Sequence, residues 1–192
     1  MTLLIVGLLV FLGSHSVRIF AEDWRTRQIA SLGEAKWKML YSVVAIIGFV
    51  LIIVGYGQAR ASPVYVWTPP AGLRHLAGVL NLVAFILLAA AKGPANYIRG
   101  RVHHPMVLGV KTWAFAHLIA NGTLNAIVLF GAFLAWAIVD FAAARRRDRT
   151  LKIEYPAGTL GGTLGAVAVG IIAWAAFVFA LHGWLIGVHP FH

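Results

Sequence analysis

The 192-residue chain contains no cysteine, and its sixteen Lys and Arg are matched by only six Asp and Glu. Charged residues make up 11% of it, against roughly 25% in soluble domains. The missing cysteine excludes a disulfide scaffold, thiolate metal ligands and a Cys-x-x-Cys-His attachment of haem. The shortage of charge excludes a water-soluble globule. The hydrophobic share of 60% and mean hydropathy of +0.83 exclude a disordered chain. Two other signatures are absent. The glycine-rich stretch Gly158-Thr-Leu-Gly-Gly-Thr-Leu-Gly165 lacks the Gly-Lys-Ser/Thr end of a phosphate loop. No Gly-x-Ser-x-Gly elbow surrounds Ser14 or Ser16. Gly158, Gly162, Ala166 and Gly170 recur every four residues instead, a face of small side chains suited to close helix contact in lipid.

What remains is long apolar runs. A spanning helix needs about 20 apolar residues, and six runs meet or approach that length: 2–20, 39–57, 72–91, 105–121, 123–143 and 161–188. These predict an all-α integral membrane protein, a single bundle of about six transmembrane helices with no second domain. Long apolar runs exclude a β-barrel, whose strands would alternate. Asn121-Gly122-Thr123 predicts a tight helical hairpin, with Gly122 supplying the helix stop. The sequon there is discounted because it lies so near the membrane. Pro63, Pro69 and Pro70 around Trp67 predict a stiff loop between the second and third runs.

The net charge of +10 has a pattern. Basic residues fill three connections: Arg25, Arg27, Lys36 and Lys38; Lys92, Arg99 and Arg101; Arg145, Arg146, Arg147, Arg149 and Lys152. The opposite connections hold Arg60 and Arg74. Lys and Arg are retained in the cytoplasm, so a multi-pass membrane protein with both termini outside is expected. Positive charge follows the first apolar run, which argues against a cleaved signal peptide. Arg145–Arg149 is then a juxtamembrane run facing anionic membrane lipids, not a nucleic-acid site. Trp24, Trp37, Tyr56, Trp67 and Trp184 fall near the expected interfaces.

Eight histidines are present, and His15, His75, His117 and His182 lie within expected spans. Ionisable groups there are costly and face protein or a cavity. Arg18 and Lys111 add positive charge inside spans, with no carboxylate of a span near them in sequence. Asp and Glu are almost confined to the basic connections. Zinc ordinarily takes three or four ligands, often thiolate or carboxylate, and a di-iron site needs several Glu, which no span contains. Haem b needs one or two axial histidines, an apolar pocket and cations for its propionates, so it fits this donor set best. Gly109, Trp113, His117 and Asn121 form one stripe of the fourth run. His15 and Arg18 share a face of the first. That geometry allows His15 to ligate iron while Arg18 reaches a propionate, and lets the Trp113, His117 and Asn121 stripe face a planar macrocycle, with Lys111 as a second cation. Arg18 has a competing partner in Glu22. The two histidines differ in depth by about 5–10 Å at 1.5 Å per residue. On depth alone His75 or His182 lies closer to His117. His104 caps or orients the fourth helix with Pro105 at its first position, gates access, or stands as another ligand. His103, His189 and His192 are expected to be solvated.

Three segments carry a family likeness. His15-Ser-Val-Arg18, His104-Pro-Met-Val-Leu-Gly109 and Trp113-Ala-Phe-Ala-His117-Leu-Ile-Ala-Asn121-Gly122 resemble the NnrU family, as do Leu32-Gly33 and Arg74-His75-Leu76. That family comprises bacterial membrane proteins associated with nitrite and nitric oxide reduction, together with the 15-cis-zeta-carotene isomerase of plants and cyanobacteria. The resemblance implies a haem b protein with His15 and His117 as axial ligands, and redox-dependent isomerisation of an apolar polyene. This chain departs in having Ala114 where the isomerase has cysteine, and His103-His104-Pro105 where it has Arg-His-Pro. A redox-linked exchange to thiolate is therefore impossible here. Three functions stay open: isomerase-like or oxidoreductase chemistry served by an electron donor; a non-catalytic haem protein for electron transfer, sensing or assembly in nitrogen-oxide respiration; and a haem-free lipid or prenyl methyltransferase, suggested by the His-Pro-x-x-x-Gly element.

Overall fold

The structure, a computed structural model, describes residues 1–191; His192 lies outside the described residues. Among those residues all regular structure is helical. The helices are α1 (Thr2–Phe20), α2 (Glu22–Leu32), α3 (Glu34–Arg60), α4 (Gly72–Lys92), α5 (Tyr97–Val102), α6 (Pro105–Ala120), α7 (Leu124–Leu151), α8 (Leu160–Ala176) and α9 (His182–Ile186). A single π-helical turn, Phe177–Leu181, joins α8 to α9. Five segments are long and apolar enough to cross a bilayer: α1, α3, α4, α7, and the stretch from Leu160 to Ile186. The sixth expected span is the shorter apolar helix α6, with 16 residues. At 1.5 Å per residue it measures about 24 Å, short of a hydrocarbon core of roughly 30 Å. Pro105 sits in its first turn and Asn121 breaks it with an extended backbone, so neither end can lengthen.

The long helices follow a definite packing order. α3 lies on α1, α1 on α7, α7 on α6, α6 on α4, and α4 on α8. Glycines set the closest approaches. A Cβ added at Gly55 or Gly7 would overlap the backbone of the facing helix, at Leu4 and at Ile52 respectively. The small-residue face of α8 behaves likewise, because a Cβ at Gly170 would strike Ile86 of α4. Side chains facing away from these seams are largely exposed, as lipid-facing residues are (Ile46 61%, Leu9 70%, Ile172 68%).

The connections are more structured than expected. α2 fills the first basic connection, with Glu22 and Asp23 in its first turn. The proline-containing loop does not stand alone: Val66 N–H donates to the Gly122 carbonyl at 2.8 Å, and Leu124 N–H donates to the Val64 carbonyl at 2.8 Å. Gly122 is thus required for a different reason than a helix stop. It has no positive φ, but a Cβ there would sit on the Trp67 carbonyl. α7 runs past the expected limit at Ala143, so its last turns carry Arg145–Asp148 beyond the apolar stretch.

Candidate functional site

His15 and His117 are held in the same way. His15 Nδ1 lies 2.7 Å from the Phe11 carbonyl, one turn earlier. His117 Nδ1 lies 2.9 Å from the Trp113 carbonyl, again one turn earlier. In each case the ring N–H donates from Nδ1 and the lone pair is on Nε2. This is how a backbone carbonyl orients a metal-binding imidazole and sets its tautomer.

Aromatic rings surround both histidines. Phe11 lies 4.3 Å from His15, Tyr41 of α3 meets it edge-on at 5.4 Å, and Trp136 of α7 does so at 6.1 Å. His117 stacks on Phe130 at 4.5 Å and touches Trp113 at 5.1 Å. A continuous run of rings joins the two: Phe11 touches Phe133 at 5.8 Å, and Phe133 touches Trp113 at 5.5 Å. The depth offset persists. His15 contacts Trp136 and His117 contacts Phe130, six residues apart on α7, or about 9 Å along its axis.

The other expected site residues separate into near and far. Asn121 donates its amide to the His117 carbonyl at 2.8 Å and so closes the end of α6. Lys111 lies over the Phe141 ring at 5.6 Å. Arg18 takes its competing partner, Glu22, at 3.8 Å, and Glu22 also binds Arg25 at 3.1 Å. His182 lies within electrostatic reach of His117, directly after the π-helical turn, with Nδ1 bonded to the Val188 carbonyl at 2.6 Å. Such turns frequently mark functional positions, and no sequence pattern announces this one. His75 stacks on Phe191 at 6.2 Å. His189 is exposed, as expected, with its ring lying against Gly183.

Asp140 is a carboxylate of a span that is distant from Arg18 in sequence but close to it in the fold. It lies inside the fifth apolar run, and in the structure it is within electrostatic reach of Arg18, His15, His104 and Arg147. The signal was a lone acid in an apolar helix, 122 residues from Arg18. Nothing local connects the two.

A second cluster forms at the basic end of the bundle. His104 Nε2–H donates to Asp148 Oδ2 at 2.8 Å, and the Tyr155 hydroxyl donates to the same oxygen at 3.0 Å. His103 approaches that oxygen at 3.6 Å and packs on the Tyr155 ring at 4.2 Å. His104 does occupy the position before Pro105, but its side chain makes no cap. With its Nε2 engaged by Asp148 it is poorly placed as an iron ligand. His103 is half-buried and has φ +67, so it is not the solvated loop residue expected. Burial pushes the Asp148 carboxyl up, but the hydrogen bonds from His104 and Tyr155 and the His104 and His103 charges outweigh it, and hold it below its ordinary value. Burial, followed by the bond to Asp148, raises Tyr155.

Among the described residues no group of three or more His, Asp or Glu is assembled to hold a metal ion. What the structure offers is single imidazoles with free Nε2 atoms in aromatic surroundings, a donor set suited to an axially ligated planar group. Compared with known proteins, residues 3–190 match the family model described as NnrU protein. No curated protein and no solved structure matches.

Proposed function

The chain belongs to the NnrU family, and from that premise we propose that it is a membrane protein binding haem b and carrying out redox-dependent, isomerase-like chemistry on an apolar substrate. The observation that carries this reading is the shared anchoring of His15 and His117. Both imidazoles spend Nδ1 on a carbonyl of their own helix and keep Nε2 for a ligand. His117 would hold the haem iron, together with His15, or with His75 or His182 as the depth argument has it. A bound haem would supply one-electron redox chemistry.

The protein's own residues do the rest. The Phe11 and Trp113 carbonyls fix the two ring orientations, and Asn121 holds the end of α6 that presents His117. Trp113, Phe130, Phe133 and Phe11 pack on one another between the two histidines and exclude water. With no cysteine in the chain, histidine remains the strong iron donor. Arg18, which now pairs with Glu22, would meet a propionate at the basic end, with Lys111 as the second cation. The proposed setting is the cytoplasmic membrane of a bacterium with both termini outside, following the positive connections.

Protein purified in mild detergent from haem-replete cells is expected to be coloured, with a Soret band that shifts on dithionite reduction. A colourless preparation would overturn the reading. A coloured protein that leaves a cis-configured polyene unchanged when reduced would instead have the non-catalytic electron-transfer role.

A further inference from the structure

Between α1 and α7 runs a cleft of about 460 Å³. Its walls are almost wholly apolar, with Leu8, Leu12 and Ile19 on α1 and Ala132, Trp136 and Val139 on α7. All of its lining residues belong to α1 and α7. On α7 the wall follows a 4-3-4 spacing through Val128, Ala132, Ala135 and Val139. Continued by three and four residues, that stripe reaches Ala142 and then Arg146, both exposed. The next residue, Arg147, reaches across to the end of α1, where its guanidinium donates to the Arg18 carbonyl at 3.5 Å. The carboxylate nearest in sequence to that end of α1, Glu22, is engaged by Arg18 and Arg25. An apolar trough therefore ends at two arginines: Asp140 lies within electrostatic reach of Arg147, while Arg146 is exposed on the continuing stripe.

We propose that this cleft is a selective site for an anionic phospholipid, with one acyl chain along α1 and α7 and the phosphate on Arg146 and Arg147. The dimensions agree. From Ala135 to Arg146 is about 16 Å along the helix, half of a hydrocarbon core of roughly 30 Å, which is the reach of one leaflet's chain. The charges agree too, because a basic side chain beside the apolar boundary attracts anionic headgroups. Small side chains at Gly13, Ala132 and Ala135 keep the trough open. The site is independent of haem binding, although Trp136 lines the cleft and meets His15 edge-on.

The test uses the whole protein reconstituted in vesicles of phosphatidylcholine mixed with phosphatidylglycerol of identical chains, then released and weighed by native mass spectrometry. Phosphatidylglycerol is expected to be retained in preference to phosphatidylcholine. Arg146→Gln should lower that preference by about fivefold, the equivalent of roughly 1 kcal/mol for one basic side chain at an anionic surface; Arg146→Gln with Arg147→Gln should abolish it. Gly13→Leu fills the cleft from a position where an added Cβ meets nothing within 4 Å, so it should fold and lose retention of either lipid. Equal retention of both lipids, unchanged preference in the double variant, or full retention in Gly13→Leu would each overturn the proposal. Retention of an uncharged isoprenoid or quinone in place of phospholipid would do so as well. A colourless but lipid-selective protein would leave this site standing while the haem reading fell.

Discussion

At the scale of single residues, two histidines share an environment and two others share a carboxylate, and these arrangements predict different behaviour. Replacing His117 with Ala removes the Nε2 donor that Phe130 and Trp113 surround, so the purified variant should lose its Soret absorbance. His15→Ala should lose or respeciate the haem. If His182→Ala empties the site while His15→Ala does not, the second ligand is the one that depth favours. Asp148 is different, since its carboxylate accepts from His104 and Tyr155 at the membrane boundary. Asp148→Asn should cost about 1–3 kcal/mol, the range for a lost charge-assisted hydrogen bond, read as a lower Tm in detergent. Because the folded-state value is depressed, the stabilisation is present above the ordinary value of 3.8 and fades as pH falls below it. Wild type should therefore lose more Tm than Asp148→Asn on acidification through that window. Equal losses would show that the carboxylate contributes nothing there.

At the scale of elements, helix contacts rest on glycine, and the contact partner decides which glycine matters. Gly55 and Gly57 lie two residues apart on α3, and composition does not tell them apart. An added Cβ at Gly55 overlaps the Leu4 backbone, whereas at Gly57 it meets nothing within 4 Å. Gly55→Ala should thus destabilise by about 1–3 kcal/mol through overpacking. Gly57→Ala should be neutral or gain up to about 1 kcal/mol from helix propensity. Thermal unfolding of the pair in one detergent checks both, and equal Tm changes would refute the seam. The Asn121-Gly122-Thr123 turn makes the same point. Its position was legible in sequence, but its reason was not, because the Trp67 carbonyl that excludes a Cβ comes from a loop 55 residues away.

At the scale of the whole molecule, the basic connections sit together at one end of a row running α3, α1, α7, α6, α4 and α8. The absence of cysteine makes the predicted orientation directly measurable. In intact cells a membrane-impermeant maleimide should label Ala61→Cys, and label Arg149→Cys only after permeabilisation. The reverse pattern would place the termini inside.

Composition, apolar run length and the distribution of Lys and Arg are additive along the chain. The sequence alone therefore determined the membrane class, most span limits and the basic end. It also carried the family likeness, because each of its segments is a contiguous run of residues. It did not reveal that α6 is short of a full span, that Asp140 faces the Arg18 end, or that His103 and His104 converge on Asp148. Those depend on how each helix is rotated about its axis and which neighbour it meets. Only the packing of distant segments, set by glycine seams and ring contacts, decides that.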